Sequence, residues 1–169
     1  MKSHLRMKKI IFTLLVMGIS LCSWAADKKY ELQSPNGKIK IEITAGEGLS
    51  YQIAYDNNIL LSNSSIDLIL PQGTVGTQVR VSGVQKKKIT ETVESPFYRF
   101  KEFVTECNEL NLKLKNGFGI IFRAYNEGIA YRFYSNLKQG TTIMNEVAEL
   151  NFPQDFTAYL PYTTNDKKP

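Results

Sequence analysis

Residues 108–134, NELNLKLKNGFGIIFRAYNEGIAYRFY, leave the chain little freedom, because they read as three β-strands joined by two tight reversals. Leu110, Leu112 and Leu114 alternate with Asn111, Lys113 and Lys115, the period of two that puts one face of a strand in a core and the other in water. Asn116-Gly117 then predicts a two-residue type I′ turn, whose central positions both need positive φ. The chain returns through Phe118, Ile120 and Phe122. A second reversal at Asn126-Glu127-Gly128 leads into Ala130, Arg132 and Tyr134 alternating with Ile129, Tyr131 and Phe133, so the segment is an antiparallel meander.

The same patterning recurs before it. YELQ (30–33), the turn Ser34-Pro35-Asn36-Gly37 and KIKIEIT (38–44) form a hairpin signal, and LSYQIAY (49–55) repeats the alternation before Asp56-Asn57-Asn58 turns the chain into ILL (59–61). SIDLIL runs to Pro71, where the missing N–H ends a central strand. Residues 72–77, with Gly73 and Gly76, read as a loop, and further strands are expected at 79–84, 89–93 and 98–107. Lys86-Lys87-Lys88 reads as a solvated turn between strands, ahead of an anionic-ligand patch. In the tail, 141–149 has no clean period, while 150–152 and 156–162 read as short strands. No helix is expected. Short, evenly punctuated strands of this kind predict an all-β fold, an antiparallel β-sandwich or barrel.

Residues 1–25 read as a signal peptide. Lys2, Arg6, Lys8 and Lys9 form a positive n-region, residues 10–22 an apolar h-region too short to span a bilayer, and Ser23-Trp24-Ala25 a cleavage site. The domain proper is then 26–169, exported to the periplasm with no membrane span; lipidation at Cys22 is the lesser reading, since Leu21 stands where a small residue belongs. Four of the 21 basic residues leave with the signal and none of the 16 acidic ones does, so the balance falls from +5 to +1. That removes any domain-scale nucleic-acid footprint. His4 and Cys22 leave too. What remains has no histidine and one cysteine, Cys107, which excludes His-based triads, Cys–His pairs, His/Cys zinc sites and an intrachain disulfide. Cys107 reads as a small buried hydrophobe.

A glycosidase needs two carboxylates about 5 to 9.5 Å apart across the scissile bond. Glu102 and Glu106 share a face of one strand but are about 13 Å apart. Glu91 and Glu94 point to opposite faces of an extended segment, and Glu146 with Glu149 would meet only on a helix. All read as solvated surface carboxylates. Tyr51, Tyr55, Tyr98, Tyr125, Tyr131, Tyr159 and Tyr162 are candidate sugar-stacking residues by type, against the simpler reading that most fill the core with the hydroxyl at its rim. No glycine-rich phosphate loop follows a strand and opens a helix.

Four segments in order, L-x-S-P-N-G-K-I-x-I-x-I, G-L-x-Y-x-I-x-Y, N-E-L-x-L-x-L and F-R-A-Y-N-E-G-I-A-Y-R-F (122–133), resemble the N-terminal domain of glycoside hydrolase family 97, exported bacterial enzymes akin to α-glucosidases and α-galactosidases. The resemblance covers residues 30–162. It implies part of a galactose-mutarotase-like β-supersandwich, packed in the complete enzyme against a (β/α)8 barrel that carries the catalytic carboxylates, with calcium near the active site. The chain stops before that barrel and short of the full sandwich, so no catalytic residue is carried over, and the chain alone is expected to be inactive and unstable. The family's acidic calcium ligand lies just beyond the part that 159–166 resembles; Asn165 and Asp166 are the nearest oxygen ligands, and Tyr159 and Tyr162 the nearest substrate contacts. The expected function is a non-catalytic, barrel-supporting module of an α-glycoside hydrolase, with oligo- or polysaccharide a possible partner. A free-standing periplasmic carbohydrate-binding or assembly module is the alternative. An aldose epimerase, similar in sandwich, is disfavoured by the missing histidine.

Overall fold

A computed structural model describes residues 27–94 and 101–157. Among these described residues ten strands follow one another: β1 (Lys28–Gln33), β2 (Ile39–Ala45), β3 (Leu49–Tyr55), β4 (Asn58–Leu70), β5 (Gly73–Thr74), β6 (Val81–Glu94), β7 (Glu102–Leu114), β8 (Phe118–Tyr125), β9 (Ile129–Ser135) and β10 (Asn145–Ala148). They form two antiparallel sheets. The first has the order β1-β2-β3-β4-β10, with β5 added to β4; the second has the order β6-β7-β8-β9. No helix among the described residues is long and apolar enough to cross a membrane.

The sheets pack face to face. Ile39, Ile41 and Ile43 of β2 with Leu49, Tyr51 and Ile53 of β3 meet Leu110, Leu112 and Leu114 of β7 and Phe118, Ile120, Phe122 and Ala124 of β8, all buried. At about 25 cal/mol per Å² of apolar surface removed from water, this face dominates the stability of the fold. β1 lies against β7 and β8, and β2 against β8.

Several local expectations change. Asn116-Gly117 does not make a type I′ turn: three residues separate β7 from β8, and within the reversal only Gly117 has positive φ, at 85°. Asn116 stays in the ordinary region because its side chain is engaged, donating from Nδ2 to the Val75 carbonyl (3.0 Å) and accepting at Oδ1 from the Phe118 N–H (3.2 Å). The two-residue, doubly positive geometry occurs instead at Asp56 (47°) and Asn57 (65°), between the paired Tyr55 and Asn58. The segments 59–61 and 65–70 are one strand, β4, irregular where it faces β3. Gly73–Thr74 within the expected loop pairs with β4, and 150–152 is not a strand.

The lysine run is the largest correction. Lys86, Lys87 and Lys88 lie in the middle of β6, opposite Leu110, Glu109 and Asn108, and β6 runs straight through the position read as a turn. Their composition looks like a turn because β6 is an edge strand, and this stretch is wet on both faces.

Candidate functional site

Tyr159, Tyr162, Asn165 and Asp166 lie outside the described residues, as do Tyr98 and most of 156–162. Of the remaining candidate tyrosines, Tyr51 and Tyr131 face inward. Tyr51 stands 6.2 Å from Phe122 and 6.1 Å from Tyr131, whose ring is 5.9 Å from Phe122 and meets Phe133 edge-on at 6.2 Å. Their hydroxyls reach the rim: Tyr51 donates to the Glu149 carbonyl (3.3 Å) and Tyr131 to Glu146 Oε1 (3.1 Å). Burial, then the Glu146 carboxylate, pushes the Tyr131 phenol up to about 12, and burial raises Tyr51. These are core residues with polar tips, not sugar platforms. Tyr55 is exposed at the β3–β4 turn, its ring 6.0 Å from Lys38 Nζ.

The carboxylates stay apart from any cleft chemistry. Glu102 and Glu106 lie exposed on β7, Glu91 and Glu94 exposed on β6. Strand pairing sets Glu94 directly opposite Glu102, a like-charge neighbour pair that linear spacing could not show, on a two-stranded ribbon exposed among the described residues. Glu146 is in β10 rather than a helix, and Glu149 accepts from the Ser65 N–H.

Among the described residues one carboxylate is buried. Glu109 points to the outer side of β7, yet is only 3% exposed, because its cross-strand neighbours close over it. Arg123 Nε lies 2.8 Å from Oε2, Lys87 Nζ lies 3.1 Å from Oε1, and Arg123 also reaches Glu91 (3.6 Å) and donates to the Tyr125 hydroxyl (3.5 Å). Burial alone would raise the Glu109 carboxyl; the Arg123 and Lys87 hydrogen bonds and charges outweigh it and hold the group below the usual carboxylate range. The Tyr125 and Glu109 contacts raise Arg123 further, so it stays charged. Cys107 is buried on the same strand, between the cross-strand partners Ile89 and Tyr125. The network is a locked ion cluster: every charge has a partner and none faces a cavity large enough for a substrate.

Depressions also lie among the described residues. A cleft of about 580 Å³ opens at one rim of the sandwich between Lys28 and Tyr30 of β1, Val81 of β6, Arg80 and Lys115, with Glu47 its sole carboxylate. A polar hollow of about 380 Å³ on the first sheet is lined by Asp27, Asp67, Ser50 and Ser65, but Asp67 already accepts from the Leu68 and Gly76 N–H groups and Asp27 from that of Glu47. A shallow one of about 190 Å³ lies beside Arg123, Tyr125, Ala130 and Arg132. Among the described residues no three His, Cys, Asp or Glu side chains converge as metal ligands.

Fold and site together define a two-sheet antiparallel sandwich. Residues 32–169 match the glycosyl-hydrolase 97 N-terminal family, and the chain belongs to it. It is 40% identical over 162 residues to a retaining α-galactosidase of Bacteroides thetaiotaomicron, a match covering 95% of this chain and 24% of that protein. The chain thus spans about a quarter of the length of that relative. A glycoside hydrolase family 97 enzyme from Pseudoalteromonas sp. strain K8, solved in complex with acarbose, shares the fold with a TM-score of 0.64 and 21% identity over 73% of this chain and 20% of that one. A β-arabinopyranosidase superposes with a TM-score of 0.67 at 20% identity over 75% of this chain and 22% of its own.

Proposed function

We propose that this chain serves as the non-catalytic N-terminal sandwich of an exported α-glycoside hydrolase, bracing a (β/α)8 barrel that supplies the catalytic carboxylates and the calcium. The carrying observation is the family match over 32–169 combined with coverage of only 24% of the similar α-galactosidase. Two features of the described residues agree with it. The hollow whose lining includes both Asp27 and Asp67 has each of them engaged by backbone N–H groups. Ile143, Met144, Leu150, Phe152 and Phe156 are all more than half exposed along the segment that follows the second sheet, an apolar strip suited to packing against further polypeptide.

The test is co-expression of the chain with a family 97 catalytic barrel. Co-purification, with hydrolysis of p-nitrophenyl α-galactoside or α-glucoside by the pair and none by the chain alone, is the expected result. Hydrolysis by the chain alone, or a barrel equally soluble and active without it, overturns the reading.

A further inference from the structure

The outer face of the second sheet carries a tyrosine in an unusual posture. Tyr134 of β9 stands directly opposite Gly119 of β8, and a Cβ placed on that glycine would overlap Cζ, Cε1 and the hydroxyl of the tyrosine. The ring therefore lies down across β8 instead of standing off the sheet. Its hydroxyl reaches a third strand, donating to Asn111 Oδ1 on β7 at 2.7 Å. Glycine at 119 is what permits this: any side chain there would lift the ring.

One face of the ring covers the glycine backbone, and the side chain is half-buried by it. The other looks outward, since β8 and β9 present this face away from the first sheet. Register sets its border. Ile121 follows Gly119 on the same face and Arg132 lies two residues before Tyr134, while Lys113, opposite Gly119 on β7, leans away over Gly83 of β6. Asn111 accepts the phenol proton with Oδ1, which leaves its Nδ2 as a donor with no bond among the described residues. Arg132 is exposed and makes no ion pair among the described residues, in contrast to Arg123 and Lys87 nearby.

We infer that this face binds a glycan: a pyranose ring stacks its C–H face on Tyr134 while its hydroxyl or carboxylate oxygens accept from Asn111 Nδ2 and Arg132. A flat apolar plate edged by a few convergent donors is what a sugar ring, apolar on its face and polar round its rim, requires. Pinning at both ends holds the plate in position before the ligand arrives, so little side-chain ordering accompanies binding. The choice of glycan over other flat ligands rests on the glycosidase reading above; the posture of the ring does not.

The experiment is titration of the full chain, labelled with ¹⁵N, with maltotriose and separately with trigalacturonate. Saturable shifts centred on the amides of Gly119, Asn111 and Tyr134 with either sugar are expected; the two sugars separate a neutral ring from one held also through a carboxylate. Arg132→Ser, an exposed change with no bond to lose, should weaken binding about tenfold. Tyr134→Ala should abolish it, with the amide spectrum checking that the sheet stays folded. No saturable shift with either sugar, or equal affinity in the wild type and Arg132→Ser, overturns the inference. Failure here leaves barrel co-purification untouched, and failure there leaves sugar binding untouched, so the two proposals fall separately.

Discussion

Two single residues carry sharply testable physics. Glu109 has a folded-state pKa below the unfolded value of about 4.3, so its ion cluster contributes in full above that value and is lost as the pH falls through the lower, folded one. Glu109→Gln should cost about 1–3 kcal/mol at pH 7, because Arg123 and Lys87 keep their places around a neutral amide. The gap to wild type should close on acidification. Urea melts from pH 7 to pH 3 read it directly, and a gap constant down to pH 3 would show that the carboxylate charge is irrelevant. Gly117 is the second case. Its φ of 85° and the position of Leu137 Cδ2, 2.6 Å from where a Cβ would stand, put two separate penalties on any side chain. Gly117→Ala should lower stability by about 1–2 kcal/mol, whereas Gly128→Ala, with negative φ and open space, should leave it within about 0.5 kcal/mol.

At the scale of elements, strand pairing decides what the sequence alone could and could not disclose. The meander β7–β8–β9 and the hairpin β1–β2 were legible because one face of each is buried and hydropathy alternates accordingly. Where both faces are wet, as at Lys86–Lys88, the alternation vanishes and an edge strand imitates a turn. β4 looked like two strands for the opposite reason: Ser64 is fully buried mid-strand, its hydroxyl donating to the Ser62 carbonyl and accepting from the Asn151 N–H, a polar residue in a core position satisfied by a segment 87 residues away. Tyr134 was absent from the candidate tyrosines because its posture depends on Gly119, fifteen positions earlier in the chain and adjacent only once the register is known. That register also marks a weak element. β8 pairs β7 only from Cys107 to Lys113, so among the described residues Glu102–Glu106 is paired with β6 alone. Two-stranded ribbons are marginal in water. Native-state hydrogen exchange should find the paired amides of residues 102–106 about two orders of magnitude less protected than those of Leu112 and Ile120. Equal protection would mean that the ribbon unfolds only with the whole sandwich.

For the whole molecule, the balance between buried and exposed apolar surface sets behaviour in solution. The inter-sheet core is closed around Phe122 and needs nothing further to exclude water, whereas Ile143, Met144, Leu150, Phe152 and Phe156 lie open on the segment that crosses to β4 through β10. Phe152 and Phe156 already pack edge-on at 5.8 Å, so they present a joined surface rather than scattered side chains. Core and strip are separable: the strip's side chains lie outside the buried cluster, and removing them subtracts exposed apolar area while leaving inter-sheet packing intact. The isolated chain should therefore self-associate with rising concentration, and Met144→Ser combined with Phe152→Ser should suppress that while the urea midpoint at low concentration stays within about 0.5 kcal/mol of wild type. Sedimentation velocity over a hundredfold concentration range decides it. If both proteins sediment as monomers throughout, the strip is not adhesive, and its support for packing against a barrel goes with it. If the double variant instead loses the midpoint as well, these residues belong to the core, and the sandwich is stabilised from its edge as well as from its centre.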